Sequence, residues 1–463
     1  MIRLYDSVRG EVRELTLRDP GQVSMYVCGP TVYDLPHLGH GRYTLIWDVA
    51  RRWFTFQGLN VRYVSNITDI DDNIIERAIR DGTTEVEVAK VYEDHWWHAM
   101  GALGVAYPTD VPHATRFVPE MIELIESLLA IDVAYTTSDG VYFDVSRVAD
   151  YGLLAGQPLE SLRAGARVEA NDEKRSPLDF ALWKNAKPDE PYWRSPFGNG
   201  RPGWHTECVV MSLGLLGEGF DLHTGGFDLR FPHHENERAQ AVAAGYEFAR
   251  HWGHSGWGMV GNEKMSKSLN NFTSLTDMLE RNDARAYRLL VLRSHYRSPI
   301  EVTPATIADA QRALARLDGL ARRFDLAALA GMKLEVKHDF SFVGSGEELF
   351  KSVSEALDED LDTPSAVARL FEAVSAANAL ADEGEEAQAR DLALAVNALF
   401  GALGLPLSSG SGAVDEHSEA LVAQRDQART AKNWAEADRL RDELVALGWT
   451  VEDSGTHTVI RRP

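Results

Sequence analysis

Cysteine is almost absent from this chain: 463 residues carry two, Cys28 and Cys208. Two thiols so far apart in sequence make no disulfide framework, and they exclude a compact zinc finger built on closely spaced pairs. Long apolar runs are missing as well. Nowhere do about 18 apolar residues follow one another, so no membrane-spanning helix is expected. The opening Met1-Ile2-Arg3-Leu4-Tyr5-Asp6 lacks the apolar stretch of a secretory leader, which predicts a cytoplasmic protein. Positive charge is short: 47 Lys and Arg stand against 70 Asp and Glu, for a formal net charge of -23 and a pI near 5.1. That excludes a diffuse electrostatic hold on nucleic acid but leaves room for a local basic groove. No internal repeat is evident. Hydrophobic content of 44% is ordinary for a globular chain, and the length predicts roughly two to four domains with ample core.

What is present begins at residues 25–42, Met-Tyr-Val-Cys-Gly-Pro-Thr-Val-Tyr-Asp-Leu-Pro-His-Leu-Gly-His-Gly-Arg. Val23 to Cys28 reads as a buried strand, ended by Gly29 and Pro30. After Pro36 the apolar positions Leu38, Tyr43, Leu45, Ile46, Val49 and Trp53 recur at helical spacing. His37 and His40 fall on the first turn with Gly39 between them. A helix N-terminus suits phosphate, imidazoles there can donate to its oxygens, and a glycine lets a flat ring approach the backbone. The plainer reading is a helix start with two solvated histidines. A second strand, Asn60 to Asn66, leads through Ile67-Thr68-Asp69-Ile70-Asp71-Asp72 to a helix from Asn73 to Arg80. This rhythm predicts an α/β fold with a doubly wound parallel sheet. Its ligands sit at the C-terminal ends of strands, where Cys28 and Thr68 fall. The three aspartates suit helix capping better than metal binding.

Helices follow at Thr84 to Leu103 and Arg116 to Leu129, then a hairpin, Val133 to Val145, around Asp139-Gly140. Residues 149–203 read as irregular, and 130–200 as an insertion in the sheet. Pro232 suits a helix start, which puts His233 and Glu237 on one helical face. With Cys28 and Cys208 they form a donor set of the kind zinc prefers; a surface ion pair is the bland alternative. Phe220 to Leu222 reads as a strand followed by Gly225, Gly226 and Asp228, a place to hold a ribose. In Gly261 to Asn271, Lys264 and Lys267 can grip polyphosphate as point charges.

The second half reads as helical. Arg285 to Tyr296 is a basic amphipathic helix, and Pro304 to Phe324 is capped by Thr303. A linker, Asp325 to Gly346, precedes a bundle from Glu347 to Leu403, broken at Asp362, Thr363 and Pro364. Ser408 to Gly412 is a flexible linker. Residues 413–463 hold two helices and a hairpin, Trp449 to Val451 with Thr456 to Ile460. There Arg425, Arg429 and Lys432 gather near Trp434. Asp438 lies on the Trp434 side of its helix, and Asp453 in the turn before the last strand. Aromatics that stack and carboxylates that accept from base amino groups are the means by which single-stranded RNA is read.

His37-Leu38-Gly39-His40 resembles the HIGH motif of class I aminoacyl-tRNA synthetases, and Lys264 to Ser268 matches their KMSKS motif letter for letter. Cys-Gly-Pro-Thr-Val-Tyr-Asp, Gly-Trp-His-Thr-Glu-Cys and Phe-Pro-His-His-Glu-Asn-Glu resemble the cysteinyl-tRNA synthetase family, and the likeness runs along the whole chain. Leu38 replaces the usual isoleucine and Asn270 the usual glycine. The resemblance implies a class I Rossmann-like parallel sheet in two halves, 1–129 and 201–260, around a connective insertion, 130–200. A KMSKS and stem-contact region, 261–324, a helical bundle, 325–407, and a small α+β anticodon-binding domain, 413–463, follow. It implies ATP-dependent activation of L-cysteine and transfer to tRNA(Cys), with Mg²⁺ as counter-ion and one zinc at Cys28, Cys208, His233 and Glu237 selecting the thiolate. His37, His40, Lys264 and Lys267 would act on phosphate, Gly226 and Asp228 on ribose, and Gly29, Thr68 and Trp204 on cysteine. Arg429, Trp434, Asp438 and Asp453 would read the anticodon. A monomer is expected. Cysteine ligases of mycothiol synthesis share the motifs and zinc site but lack the tRNA-reading part that residues 413–463 supply here. A synthetase-like tRNA-binding protein without activity is disfavoured by the intact motifs.

Overall fold

Four parallel strands organise the first half of the computed structural model, in the spatial order His251–Ser255, Leu222–Gly226, Gln22–Val27, Asn60–Ser65. The structure describes residues 1–156, 173–256, 258–259, 274–326, 342–409, 416–447, 449–454 and 457–461. Strand Gln22–Val27 is central and buried on both faces, as parallel sheets are. Val23, Met25 and Val27 join one apolar core, Tyr26 and Cys28 another. Its next strand in sequence lies on one side and Leu222–Gly226 on the other, so the order reverses at Gln22–Val27. Connections that diverge there leave a crevice beyond the C-terminal strand ends, the usual ligand position in such sheets.

Helix Leu38–Phe56 packs across the sheet with Leu45, Trp47, Trp53 and Phe54 fully buried. The first expected strand and helix are present within a residue or two. Asp71 caps helix Asp72–Asp81 by accepting from the Asn73 N–H, the expected helix cap.

The insertion corrects the expectation of irregular chain. It carries a four-stranded antiparallel sheet, Ala134–Thr137, Gly140–Phe143, Phe180–Asn185 and Gly200–Pro202. Phe180 to Trp183 is buried at every position, so it shows no polar–apolar alternation; Gly200 and Pro202 hide the fourth strand. The strand expected at Phe220 to Leu222 instead runs Leu222–Gly226, with both glycines inside it. Pro232 opens the helical turn as expected, since Phe231 is the only non-helical residue between Arg230 and His234. Phe231 is extended (φ -143°, ψ 133°), the Phe231–Pro232 bond is cis, and the α-helix begins at Glu235 and ends at Ala243.

The basic helix is shorter than expected, Ala284–Leu292; Arg288 is buried and Arg285 half-buried, whereas Arg293 and Arg297, beyond its end, are exposed. Arg285 pairs with Asp318, Arg288 with Asp48, Arg293 with Asp309 and Arg297 with Asp360. Helix Pro304–Arg323 has the expected cap at Thr303, and a bundle of Ser345–Asp358, Thr363–Asp382 and Glu386–Ala402 follows. The last unit has helices Glu416–Thr430 and Trp434–Ala446 and hairpin Thr450–Ser454 with His457–Arg461. Its core is Leu421, Leu440, Leu444, Trp449, Val451 and Ile460. Among the described residues, no helix is long and apolar enough to cross a membrane.

Candidate active site

A cavity of about 530 Å³ opens at the crevice, lined among others by Gly29, His37, His40, Trp204, Gly226 and Asp228. Its entrance wall is the start of helix Leu38–Phe56. His37 is the N-cap rather than a first-turn residue. Its Nδ1 accepts from the His40 N–H at 3.1 Å, and the His40 Nδ1 accepts from the His37 N–H at 3.2 Å. The two rings stack with centroids 3.5 Å apart. An imidazole nitrogen that accepts carries no proton, so each neutral ring keeps its proton on Nε2. Burial pushes the His37 imidazole below its usual range, and burial together with His37 pushes His40 well below it. Both are therefore neutral donors at pH 7. A Cβ on Gly39 would sit 3.0 Å from the His37 ring; the flat ring this glycine admits is a neighbour's imidazole.

Deeper, the chain's two thiols meet. Cys28 Sγ lies 3.8 Å from Cys208 Sγ and 3.7 Å from Glu237 Oε1. His233 Nε2 stands 3.6 Å from Cys208 Sγ and 2.9 Å from Glu237 Oε1. These four donor atoms lie within 4.8 Å of one another and all four residues are buried. Burial raises the Cys208 thiol, but hydrogen bonds from Cys28 and His233 outweigh it and bring the group to about 6. Burial and the neighbouring Cys208 push Cys28 well up, so the pair holds one negative charge. Burial lowers His233, yet the Glu237 carboxylate overcomes it and raises the imidazole to about 10.

Two histidines that sequence reasoning missed complete the floor. His223 Nε2 is 2.6 Å from Glu237 Oε2, and His234 Nε2 is 3.2 Å from Cys28 Sγ. Cys28, His223, His234 and Glu237 form a second, overlapping donor set. His234 lies next to His233 in sequence, and His223 on the strand leading to Gly226; proximity to the called residues was the only available signal. Trp204 stacks on His233 at 4.0 Å.

Thr68 does not reach the cavity surface: it is 1% exposed. Its hydroxyl donates to Glu207 Oε2 at 2.7 Å and accepts from Asn66 Nδ2 at 3.4 Å; Asn66 Oδ1 accepts from the Gly29 N–H at 2.9 Å. A buried relay thus ties the Gly29 wall to Glu207, another residue missed from sequence. Lys264 and Lys267 lie outside the described residues.

The family model "tRNA synthetases class I (C) catalytic domain" matches residues 14–312, a DALR domain matches 352–408, and "Cysteinyl-tRNA ligase anticodon binding domain" matches 411–461. A cysteine–tRNA ligase of Chromobacterium violaceum is 44% identical over 474 residues, covering 100% of both chains. One from Acidovorax sp. strain JS42 is 44% identical, covering 99% of this chain and 98% of its own. The chain belongs to the cysteine–tRNA ligase family. Its fold is that of class I synthetases: a Mycobacterium tuberculosis methionyl-tRNA synthetase bound by methionyl-adenylate superposes with TM-score 0.61 at 16% identity, covering 90% of this chain and 96% of that one.

In this ligase the residues singled out in 413–463 separate. Trp434 opens its helix with 60% of its surface exposed, so it is not part of the small core. Asp438 is exposed one turn on and Arg429 is half-buried. Arg425 is a structural residue: it is buried and donates to the Ala437 carbonyl and the Thr458 hydroxyl. Asp453 lies in strand Thr450–Ser454 rather than in a turn, because the hairpin pairs as far as Ser454 with His457.

Proposed function

We propose that this ligase activates L-cysteine with ATP and charges tRNA(Cys), using zinc at Cys28, Cys208, His233 and Glu237 to choose the thiol. The observation that carries the reading is the meeting of both cysteines with His233 and Glu237 under the histidine-lined cavity. Two sulfurs, one imidazole nitrogen and one carboxylate oxygen suit zinc in type and number. The set with both thiols is preferred over its overlapping neighbour, since His223 then supports Glu237 from outside, as outer partners of metal ligands do. When bound, zinc supplies a soft Lewis acid that takes thiolate and refuses an alcohol.

The remaining roles belong to the protein's own groups. Gly29, Thr68 and Trp204 form the cysteine side of the cavity, with Thr68 acting from behind the wall. His37 and His40 donate Nε2–H to phosphate oxygens as the cysteine carboxylate attacks the α-phosphorus and pyrophosphate leaves. Lys264 and Lys267 hold the β- and γ-phosphates with Mg²⁺, and Gly226 and Asp228 hold the ribose. No side chain need be a nucleophile; positioning and charge stabilisation supply the rate. Arg429, Trp434, Asp438 and Asp453 read the anticodon. The divisions 1–129, 130–200, 201–260, 261–324, 325–407 and 413–463, a cytoplasmic location and a monomer belong to the same proposal.

Exchange of labelled pyrophosphate into ATP is the test. It should require cysteine, reject serine and fail after chelation, and the same protein should charge tRNA(Cys). Exchange without charging would favour a ligase for a small acceptor; neither activity would leave a binding protein.

A further inference from the structure

Cys208 and Glu237 reach the four-donor cluster from different helices, Trp204–Leu216 and Glu235–Ala243. The spacing of these two helices therefore sets whether a sulfur from one and a carboxylate from the other can meet on a single ion.

Gln240 spans the two helices. It stands three residues past Glu237 and is fully buried. Its Oε1 accepts from the Thr206 hydroxyl at 2.9 Å, and its Nε2 donates to the His205 carbonyl at 3.1 Å. His205 and Thr206 belong to the first turn of the other helix, just before Cys208. Nε2 also donates to the Asn236 carbonyl at 3.1 Å, one turn back on its own helix. Both carbonyls can only accept, so the amide has a single orientation and all its groups are engaged. Thr206 is fully buried as well, and a partner lost there is not replaced by water. The same helix is tied on its insertion side, where Asn236 Oδ1 accepts from the Tyr151 hydroxyl at 2.6 Å. A methionine at 240 would fill similar space without the cost of burying an amide. What the amide adds is a fixed distance and register between the helices.

We propose that Gln240 is a positioning residue of the metal site: by tying the first turn of helix Trp204–Leu216 to helix Glu235–Ala243, it holds Cys208 Sγ at the span from Glu237 that a four-coordinate ion needs. The inference rests on the reading that the cluster binds zinc. Gln240 touches no ligand side chain; it acts through the two backbones that carry them.

The test uses the metal-stripped full chain. Zinc affinity is read by competition with a chromophoric chelator, and coordination geometry by the visible spectrum after loading with Co²⁺. Gln240→Met removes the whole bridge, and Thr206→Val removes the donor to Oε1 while keeping its shape. Each should weaken zinc binding about 10- to 100-fold, as loss of outer support to metal ligands does. The double variant should bind no worse than the weaker single one, because both cut the same bridge. Thr206→Ser keeps the hydroxyl and should bind as the wild type does. The cobalt bands of Gln240→Met and Thr206→Val should move away from those of the wild type and Thr206→Ser, since they report geometry. Urea unfolding of the metal-free proteins shows which variants fold; should Gln240→Met not fold, Thr206→Val against Thr206→Ser decides alone. Zinc affinity within twofold of wild type in the folded variants, with unchanged cobalt bands, overturns the bridge and leaves the zinc reading standing, even where stability in urea falls. A wild type that takes up neither ion overturns the zinc reading and the bridge with it.

Discussion

His37 has two separable duties, and one substitution series divides them. Its Nδ1 caps the helix, while its Nε2–H faces the cavity. His37→Ala removes both. Loss of a capping acceptor costs about 0.5–2 kcal/mol of stability. Loss of one donor aimed at developing negative charge costs about 10²–10³ in rate. His37→Asn restores the acceptor, since its Oδ1 can take the His40 N–H, but it carries no donor at the depth of Nε2. The expected outcome is therefore near-wild-type stability in urea for Asn, a lower midpoint for Ala, and pyrophosphate exchange lost to a similar extent in both. Recovery of exchange by Asn would mean that the ring only caps; undiminished stability of Ala would mean that the reciprocal caps hold nothing. The pH dependence has a definite sign. Burial lowers the folded-state value of His37 below 6.5. As pH falls through that ordinary value, the unfolded chain takes up a proton that the folded chain refuses, so stability drops on the acid side.

Three further outcomes follow from other contacts. Asp48 accepts from Arg288 at 2.8 Å, from Arg52 at 2.8 Å and from the Ala106 N–H, with both Asp48 and Arg288 1% exposed; Asp48→Ala should cost ~3–5 kcal/mol in chemical denaturation by stranding a buried guanidinium, and adding Arg288→Met should return much of it. Glu207→Leu should weaken cysteine binding in calorimetry while ATP binding and zinc content hold, because Thr68 loses the acceptor that fixes its hydroxyl; Glu207→Gln keeps an acceptor oxygen and should behave as wild type, and equal losses in Leu and Gln would exclude the relay. Trp434→Ala should change stability by less than ~0.5 kcal/mol, as exposed positions do. Trp434→Ala and Asp438→Ala should both narrow the difference in charging between wild-type and anticodon-altered tRNA, and an unchanged ratio would remove both from anticodon reading.

What the sequence disclosed depended on whether the signal was local. The strand at Gln22–Val27, the helix after it and the cap at Thr303 are written in consecutive residues by apolar period and by Thr or Pro at a helix start. Cys28, Cys208, His233 and Glu237 could be grouped because thiols are scarce and a His–Glu pair at a spacing of four is specific. The insertion's third strand was hidden because burial on both faces erases alternation. His223 and Glu207 were hidden for another reason. Each is polar at a position that looks like core, and only the partner from a distant segment, Glu237 or Thr68, makes it affordable there. The basic helix shows the same limit: the acidic partners of Arg293 and Arg288, Asp309 and Asp48, sit 16 and 240 residues away in sequence.

The charges of the four-donor cluster bear on the proposal that it holds a cation. Glu237 is held well below the usual carboxylate range: burial opposes this, and the imidazoles of His233 and His223 overcome it. With Cys208 near 6, that places two negative charges in a site no more than 1% exposed. A single imidazolium at His233 offsets one of them. Metal ligation needs His233 neutral and both thiols deprotonated, which brings the count to three negative charges against a divalent ion. The residual charge is then one unit negative, spread over two polarisable sulfurs and a carboxylate that His223 already supports. Without the ion the same three charges could not coexist at these distances, since like charges a few ångströms apart drive one another to neutrality. The lifted Cys28 thiol and the protonated His233 are that neutralisation. Zinc binding should accordingly release the protons they hold, so affinity for the ion should rise steeply with pH.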